Sequence, residues 1–230
     1  MKNKCYILFL FLWIVQIGFS QTQSTSIDSL KRILPYSKND TARVNLYNSI
    51  ADKYKELNPD STTFYATKAT LLSQKVNYNF GLANSYINSG NSNIILGNYK
   101  NANQYFAKAQ RCFEKLLESN SEIETKRLKN GLARAFASQG VVFSQESNYY
   151  MALEMYQKAL KLYLEIGQKQ NISKAYNNIG IVYKSQQKNE EALTYFKKAL
   201  KIQQEIGEQS VAVTLTNIGV IYAEKGNKQD

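Results

Sequence analysis

The sequence predicts an all-α fold, a solenoid of antiparallel helix pairs, on three observations. Between Asn171 and Gly207, apolar residues return at spacings of three and four. They come first as Ala175, Tyr176, Ile179, Val182 and Tyr183, then as Ala192, Leu193, Phe196, Ala199, Leu200, Ile202 and Ile206. Such spacings put each set on one helix face. The polar residues 185–189 between the sets are enough to reverse the chain and no more. The pair then recurs. Gly180 ahead of Val182 and Tyr183 is matched by Gly219 ahead of Ile221 and Tyr222, 39 residues on, and by Gly140 ahead of Val142 and Phe143, 40 residues back. Ala192, Phe196 and Ala199 match Ala152, Tyr156 and Ala159, and before those Ala102, Phe106 and Ala109. Helical pairs repeated in this way stack, each hiding the apolar face of the next.

Taken in order, residues 1–20 open with Lys2 and Lys4, continue as an apolar run from Tyr6 to Phe19 broken only by Gln16, and end in Gly18-Phe19-Ser20. That is the pattern of a secretory signal peptide, and the run is short of the roughly 20 residues a bilayer span needs. An uncleaved N-terminal anchor is the alternative. Residues 21–40 are expected to form a polar linker and a short capping helix through Ile27, Leu30, Ile33 and Leu34, stopped by Pro35. Residues 41–80 read as a degenerate first repeat, capped at Asn39-Asp40-Thr41, broken at Asn58-Pro59, with Ala51 in the place of the glycine. The second repeat is 81–120, the third 128–168 and the fourth 171–207. The ten extra residues between the second and third, Glu118 to Arg127, fit either a longer loop or additional helical turns. Residues 210–230 hold the first helix of an incomplete fifth repeat. Its apolar side is expected to be covered by a continuation of the protein or by a partner.

The pattern aromatic-x-x-Ile-Gly-x-x-Tyr, then Ala-x-x-x-Phe-x-x-Ala, at Tyr176, Ile179, Gly180, Tyr183, Ala192, Phe196 and Ala199 resembles the tetratricopeptide repeat. Related groups stand at Tyr86, Gly90, Gly97, Tyr99, Ala102, Phe106 and Ala109, and at Phe136, Gly140, Phe143, Tyr149, Ala152, Tyr156 and Ala159. The resemblance runs from about Thr41 to the end. A period near 40, where ~34 is usual, is similar to the longer variant found in cargo adaptors such as kinesin light chains and in many bacterial signalling proteins. It implies a right-handed superhelix whose first helices line a groove for peptides or partner helices. The repeated glycines, alanines and aromatics are then structural, and Gly180→Leu is expected to overpack its helix pair.

Composition narrows the function. The 230 residues include no histidine, which removes histidine-dependent acid–base catalysis, histidine triads and histidine metal sites. Cys5 falls in the signal segment, leaving Cys112 as a packed thiol with no partner for a disulfide or a zinc site. The net charge of +11 is spread evenly, without an arginine stripe or basic tail, so a solvated helix surface is expected rather than nucleic-acid binding. Glu190 and Glu191 stand at a helix start, where they complement the dipole. No phosphate-binding glycine loop is present. The expectation is a non-enzyme without catalytic, cofactor or metal residues.

Candidate groove residues follow from the register. Two residues before each repeat glycine stand Asn88, Ser138, Asn178 and Asn217; six before stand Asn84, Arg134, Lys174 and Val213. The resemblance implies that asparagine at the first place holds a ligand's main chain, since a side-chain amide both donates and accepts. Arg134 and Lys174 suit an acidic group. The alternative is that the amides cap or bridge neighbouring helices. Three functions follow: an exported module, on the periplasmic or envelope side, binding a peptide or protein; the sensor region of a bacterial histidine kinase or helix-turn-helix regulator with its membrane helix and output domain beyond residue 230; or an envelope scaffold. A membrane enters only through the signal or anchor segment or through such a C-terminal part.

Overall fold

The computed structural model describes residues 26–119, 122–207 and 211–226. The signal segment Met1–Ser20, most of the linker and the last four residues lie outside these. Residues 26–33 form α1, followed by a 3-10 turn at Leu34–Tyr36. Then come α2 (Asp40–Tyr54), α3 (Pro59–Lys75), α4 (Asn79–Ile95), α5 (Tyr99–Ser119), α6 (Glu122–Gln145), α7 (Tyr149–Glu165), α8 (Lys169–Ser185), α9 (Asn189–Glu205) and α10 (Val211–Gly226). No strand occurs among the described residues. The chain is an all-α repeat fold. Two compact units divide it, residues 1–92 and 93–230.

The helices start and stop for local reasons. Asn39 and Asn58 cap α2 and α3, their side-chain oxygens accepting from the amides of Ala42 and Ser61 at 2.8 Å. Five turns end in one device. The second residue after the helix takes a left-handed φ, at Asn77, Gly97, Ser147, Gly167 and Gln187, and the amide after it reaches back five residues. Examples are Gln168 to Tyr163 at 3.0 Å and Lys188 to Tyr183 at 3.0 Å. Only two of the five are glycine.

In the first unit α2 packs on α3. The buried apolar residues Val44, Ile50, Ala51, Ala66, Ala69, Ala83 and Ile87 are joined by many small polar ones. Thr62 donates to the Asn58 carbonyl, Ser92 to the Pro59 carbonyl, and Thr70 to the Ser85 hydroxyl. Gly81 lies against Val44 and the Tyr78 ring, where a Cβ would come within 2.5 Å of each. The expected capping helix α1 buries Ile27 but leaves Ile33 exposed. Lys31 on it donates to the Tyr54 hydroxyl at 2.7 Å, which holds its pKa above the usual lysine value.

In the second unit α6 packs on α5 and α7, α7 on α8, α8 on α9, and α9 on α10. Here rings fill the space that glycine leaves. A Cβ at Gly140 would lie 2.7 Å from the Tyr156 ring, one at Gly180 2.6 Å from the Phe196 ring, and Gly131 is covered by Phe113. The ring of the second helix, not its alanine, therefore occupies the glycine seat. Burial pushes the Tyr156 hydroxyl well above the ordinary phenol range and the Tyr163 hydroxyl up to about 12. Lys129 pairs with Glu165 at 2.8 Å, and forty residues on Lys169 pairs with Glu205 at 3.2 Å, so a lysine of each first helix is tied to the last residue of its second. The described ones among the ten extra residues add helical turns: α5 has 21 residues and α6 has 24, against 17 in each of α7, α8 and α9. Cys112 is half-buried, and burial raises its thiol pKa, against the pull of Arg111 and Lys115.

Candidate binding face

The first helices α6, α8 and α10 of the second unit are neighbours through amide bridges. Asn171 donates to Asn130 at 3.2 Å, and Asn217 donates to Asn177 at 3.4 Å, with Thr214 donating to the same oxygen. Their common face carries three bands, one residue of each helix per band. The first is Arg134, Lys174 and Val213, respectively half-buried, exposed and exposed. The second is Ser138, Asn178 and Asn217, all half-buried. The third, seven residues after the first, is Val141, Ile181 and Val220, of which Ile181 and Val220 are each 37% exposed. An extended chain laid across the three helices meets a charge on α6 and α8 and Val213 on α10, and at each repeat an amide or hydroxyl and an aliphatic side chain.

The candidate residues do not all share this role. Asn88 is 2% exposed, and its amide nitrogen donates to the carbonyl and side-chain oxygens of Asn48 at 3.0 and 3.2 Å. Asn48 in turn donates to the Gly81 carbonyl at 2.9 Å. The amide thus bridges α2 and α4 and opens onto no face. Asn84 donates to the Phe80 carbonyl of its own helix. Asn217 spends one amide hydrogen on Asn177, yet stays half-open. Arg134, Ser138, Lys174, Asn178 and Asn217 are the ones placed on adjoining helices.

The aliphatic band was not among the sequence candidates. Its signal was present, since each member directly follows a repeat glycine. Also unmarked was a polar hollow lined by Asn93, Asn101, Gln104, Tyr105 and Lys108. Among the described residues no group of His, Cys, Asp and Glu side chains is placed to hold a metal ion, and no helix is long and apolar enough to cross a membrane.

Two family models, both described as tetratricopeptide repeat, match the sequence, one at residues 131–205 and 171–230, the other at 83–122. Between them they cover more than half of the chain, which belongs to the tetratricopeptide repeat family. No curated protein matches it. Among solved structures it is similar to BtubC (BKLC) from P. vanneervenii, at 21% identity over 91% of this chain and 84% of that one, TM-score 0.64. It is similar to a STAND signal-transduction ATPase with a tetratricopeptide repeat sensor from Pyrococcus horikoshii, at 20% identity over 87% of this chain and 30% of that one, TM-score 0.65. It is also similar to the Rap conjugation gene regulator of the plasmid pLS20 in complex with a Phr peptide, at 15% identity over 89% of this chain and 60% of that one, TM-score 0.55. The chain thus spans less than two thirds of the latter two.

Proposed function

We propose that this chain is an exported, non-enzymatic interaction module that holds an extended, acidic peptide or protein segment across α6, α8 and α10. The observation that carries the reading is the threefold repetition of a basic or aliphatic, a polar and an aliphatic side chain on adjacent first helices. Amides at regular spacing suit main-chain groups whatever the ligand's sequence, and Arg134 and Lys174 select for carboxylates. The pLS20 regulator, of the same fold, is a structure with a bound peptide, which supports this use of the fold. The basic, apolar, small-residue order of Met1–Ser20 supports export.

The test is selection from a displayed library of short random peptides. Enriched sequences should be extended and acidic. The double variant Lys174→Glu, Asn178→Ala should weaken them by at least about tenfold with an unchanged thermal melt. Enrichment of peptides indifferent to both substitutions sinks the groove. Export is checked by fusing the chain to alkaline phosphatase, whose activity should vanish when residues 1–20 are removed.

A second reading, the sensor region of a larger signalling protein, draws on the STAND ATPase, where the matched share is 30% of that chain. An open reading frame running past Asp230 into a membrane helix and an output domain would favour it; a stop codon there would count against it.

A further inference from the structure

One place in the second unit lacks a ring that the register leads one to look for. Three residues after a repeat glycine, the first helices carry Phe143 on α6 and Tyr183 on α8. Each packs on the second helix that follows it, Phe143 against the cluster of Ala152 and Tyr156, Tyr183 against that of Ala192, Leu193 and Phe196. Tyr183 also stacks on Tyr195 of α9, with centroids 5.4 Å apart and planes 15° from parallel, and Lys198 lies over the same Tyr195 ring at 5.0 Å. On α5 the second-helix half of this arrangement is kept. Tyr105 stands in the place of Tyr195, and Lys108 lies over its ring at 5.3 Å. The first-helix half is not kept. The residue in the place of Phe143 and Tyr183 is Asn93, near the end of α4. There the polar hollow opens, about 220 Å³ in volume and lined by Asn93, Asn101, Gln104, Tyr105 and Lys108.

We infer that this hollow binds a phenolic ring with an anionic substituent, stacked on Tyr105 as Tyr183 is stacked on Tyr195. The chain itself shows what this tyrosine accepts against its ring. Offset aromatic pairs gain beyond the area they bury, so a ring is the fitting occupant. The hollow is smaller than the roughly 300–1,000 Å³ of sites for drug-sized molecules, so it suits a single ring. Asn93, Asn101 and Gln104 bring three side-chain amides to the wall, each able to donate and to accept, which favours a hydroxylated ring over bare hydrocarbon. Lys108 is the one charged side chain of the lining, and it is positive. The equivalent places on α7 and α9 hold carboxylates: Glu154, 2.7 Å from Lys158, where α5 has Gln104, and Glu191 where α5 has Asn101. An anionic group entering the hollow thus meets a cation and no acid of the lining. The site belongs to α4 and α5, not to the face on α6, α8 and α10, so either can fail alone.

A phenolic ring with a carboxylate nearby occurs in free aromatic acids and in tyrosine beside an acidic residue of a protein. Two probes separate these sources, 4-hydroxyphenylacetate and a capped tripeptide of tyrosine between two glutamates. Each is titrated against the full chain by saturation-transfer NMR on the ring protons of the probe. At least one should saturate, with a dissociation constant of about 1 mM or tighter. Tighter binding of the acid points to a small-molecule ligand; tighter binding of the tripeptide points to a protein side chain. Asn93→Tyr restores the missing ring, so it should raise the thermal melt and weaken the better probe by at least about tenfold. Tyr105→Leu removes the stacking surface without adding bulk and should weaken it as much. Acetate should not displace the probe, and the Lys174→Glu, Asn178→Ala chain should bind it as the parent does. Saturation by neither probe at that level overturns the inference. So does displacement by equimolar acetate, or an affinity that survives either Asn93→Tyr or Tyr105→Leu in a folded chain.

Discussion

The two units build the same kind of helix pairing from different materials. In the second, rings sit in glycine seats: Tyr156 over Gly140, Phe196 over Gly180, Phe113 over Gly131. In the first, hydroxyls and amides run through the contacts: Asn48, Thr62, Ser85, Asn88 and Ser92 are all buried, and all are hydrogen-bonded. A ring gains by area removed from water and tolerates small shifts. A buried hydroxyl or amide gains little in net terms but costs much when its partner is taken away. The second manner should therefore depend on volume, the first on the completeness of a network.

Substitutions at three positions press on that contrast. The largest effect is expected from Phe196→Ala, which empties the Gly180 seat and should cost about 3–5 kcal/mol in urea unfolding. A loss near zero would mean that the ring is not what fills the pair. Next is Asn48→Ala, which removes both the donor to the Gly81 carbonyl and the acceptor for Asn88. It should cost about 1–3 kcal/mol, with faster amide exchange in α2 and α4. Asn48→Asp, which keeps the shape and loses the donor, should cost as much; a mild effect of both would make volume the rule in both units. The smallest is a gain. Gln187 holds a left-handed φ of 61°, so Gln187→Gly should add about 1 kcal/mol, and a thermal melt that does not rise would contradict the cap geometry.

The same contrast explains what could be read beforehand. Rings and glycines stand out at a spacing of 39 or 40, so the pairs α6–α7 and α8–α9 were legible in the sequence. Thr62, Ser85 and Ser92 occupy equally buried places, but a small hydroxyl in a helix looks like surface until its acceptor is known. Asn88 was misplaced for a related reason. Its register marks a groove position, whereas its amide is claimed by Asn48, forty residues away. The non-glycine caps at Asn77, Ser147 and Gln187 carry no compositional signal, and the Lys129–Glu165 and Lys169–Glu205 ties show only once the ends of α7 and α9 are located. Arg134, Lys174 and Asn178 were visible because an open face leaves the register undisturbed.

The long pair α5 and α6 has one more consequence. α5 exceeds its 17-residue counterparts by four residues and α6 by seven, close to one and two whole turns at 3.6 residues each. Growth in whole turns adds roughly 6 and 10 Å of rod without rotating any side chain already in contact. Such an extension works as a splice point: length enters or leaves there while every downstream repeat keeps its bearing. A fluorescent tag or a short loop grafted onto that tip would report on the array without entering its arithmetic.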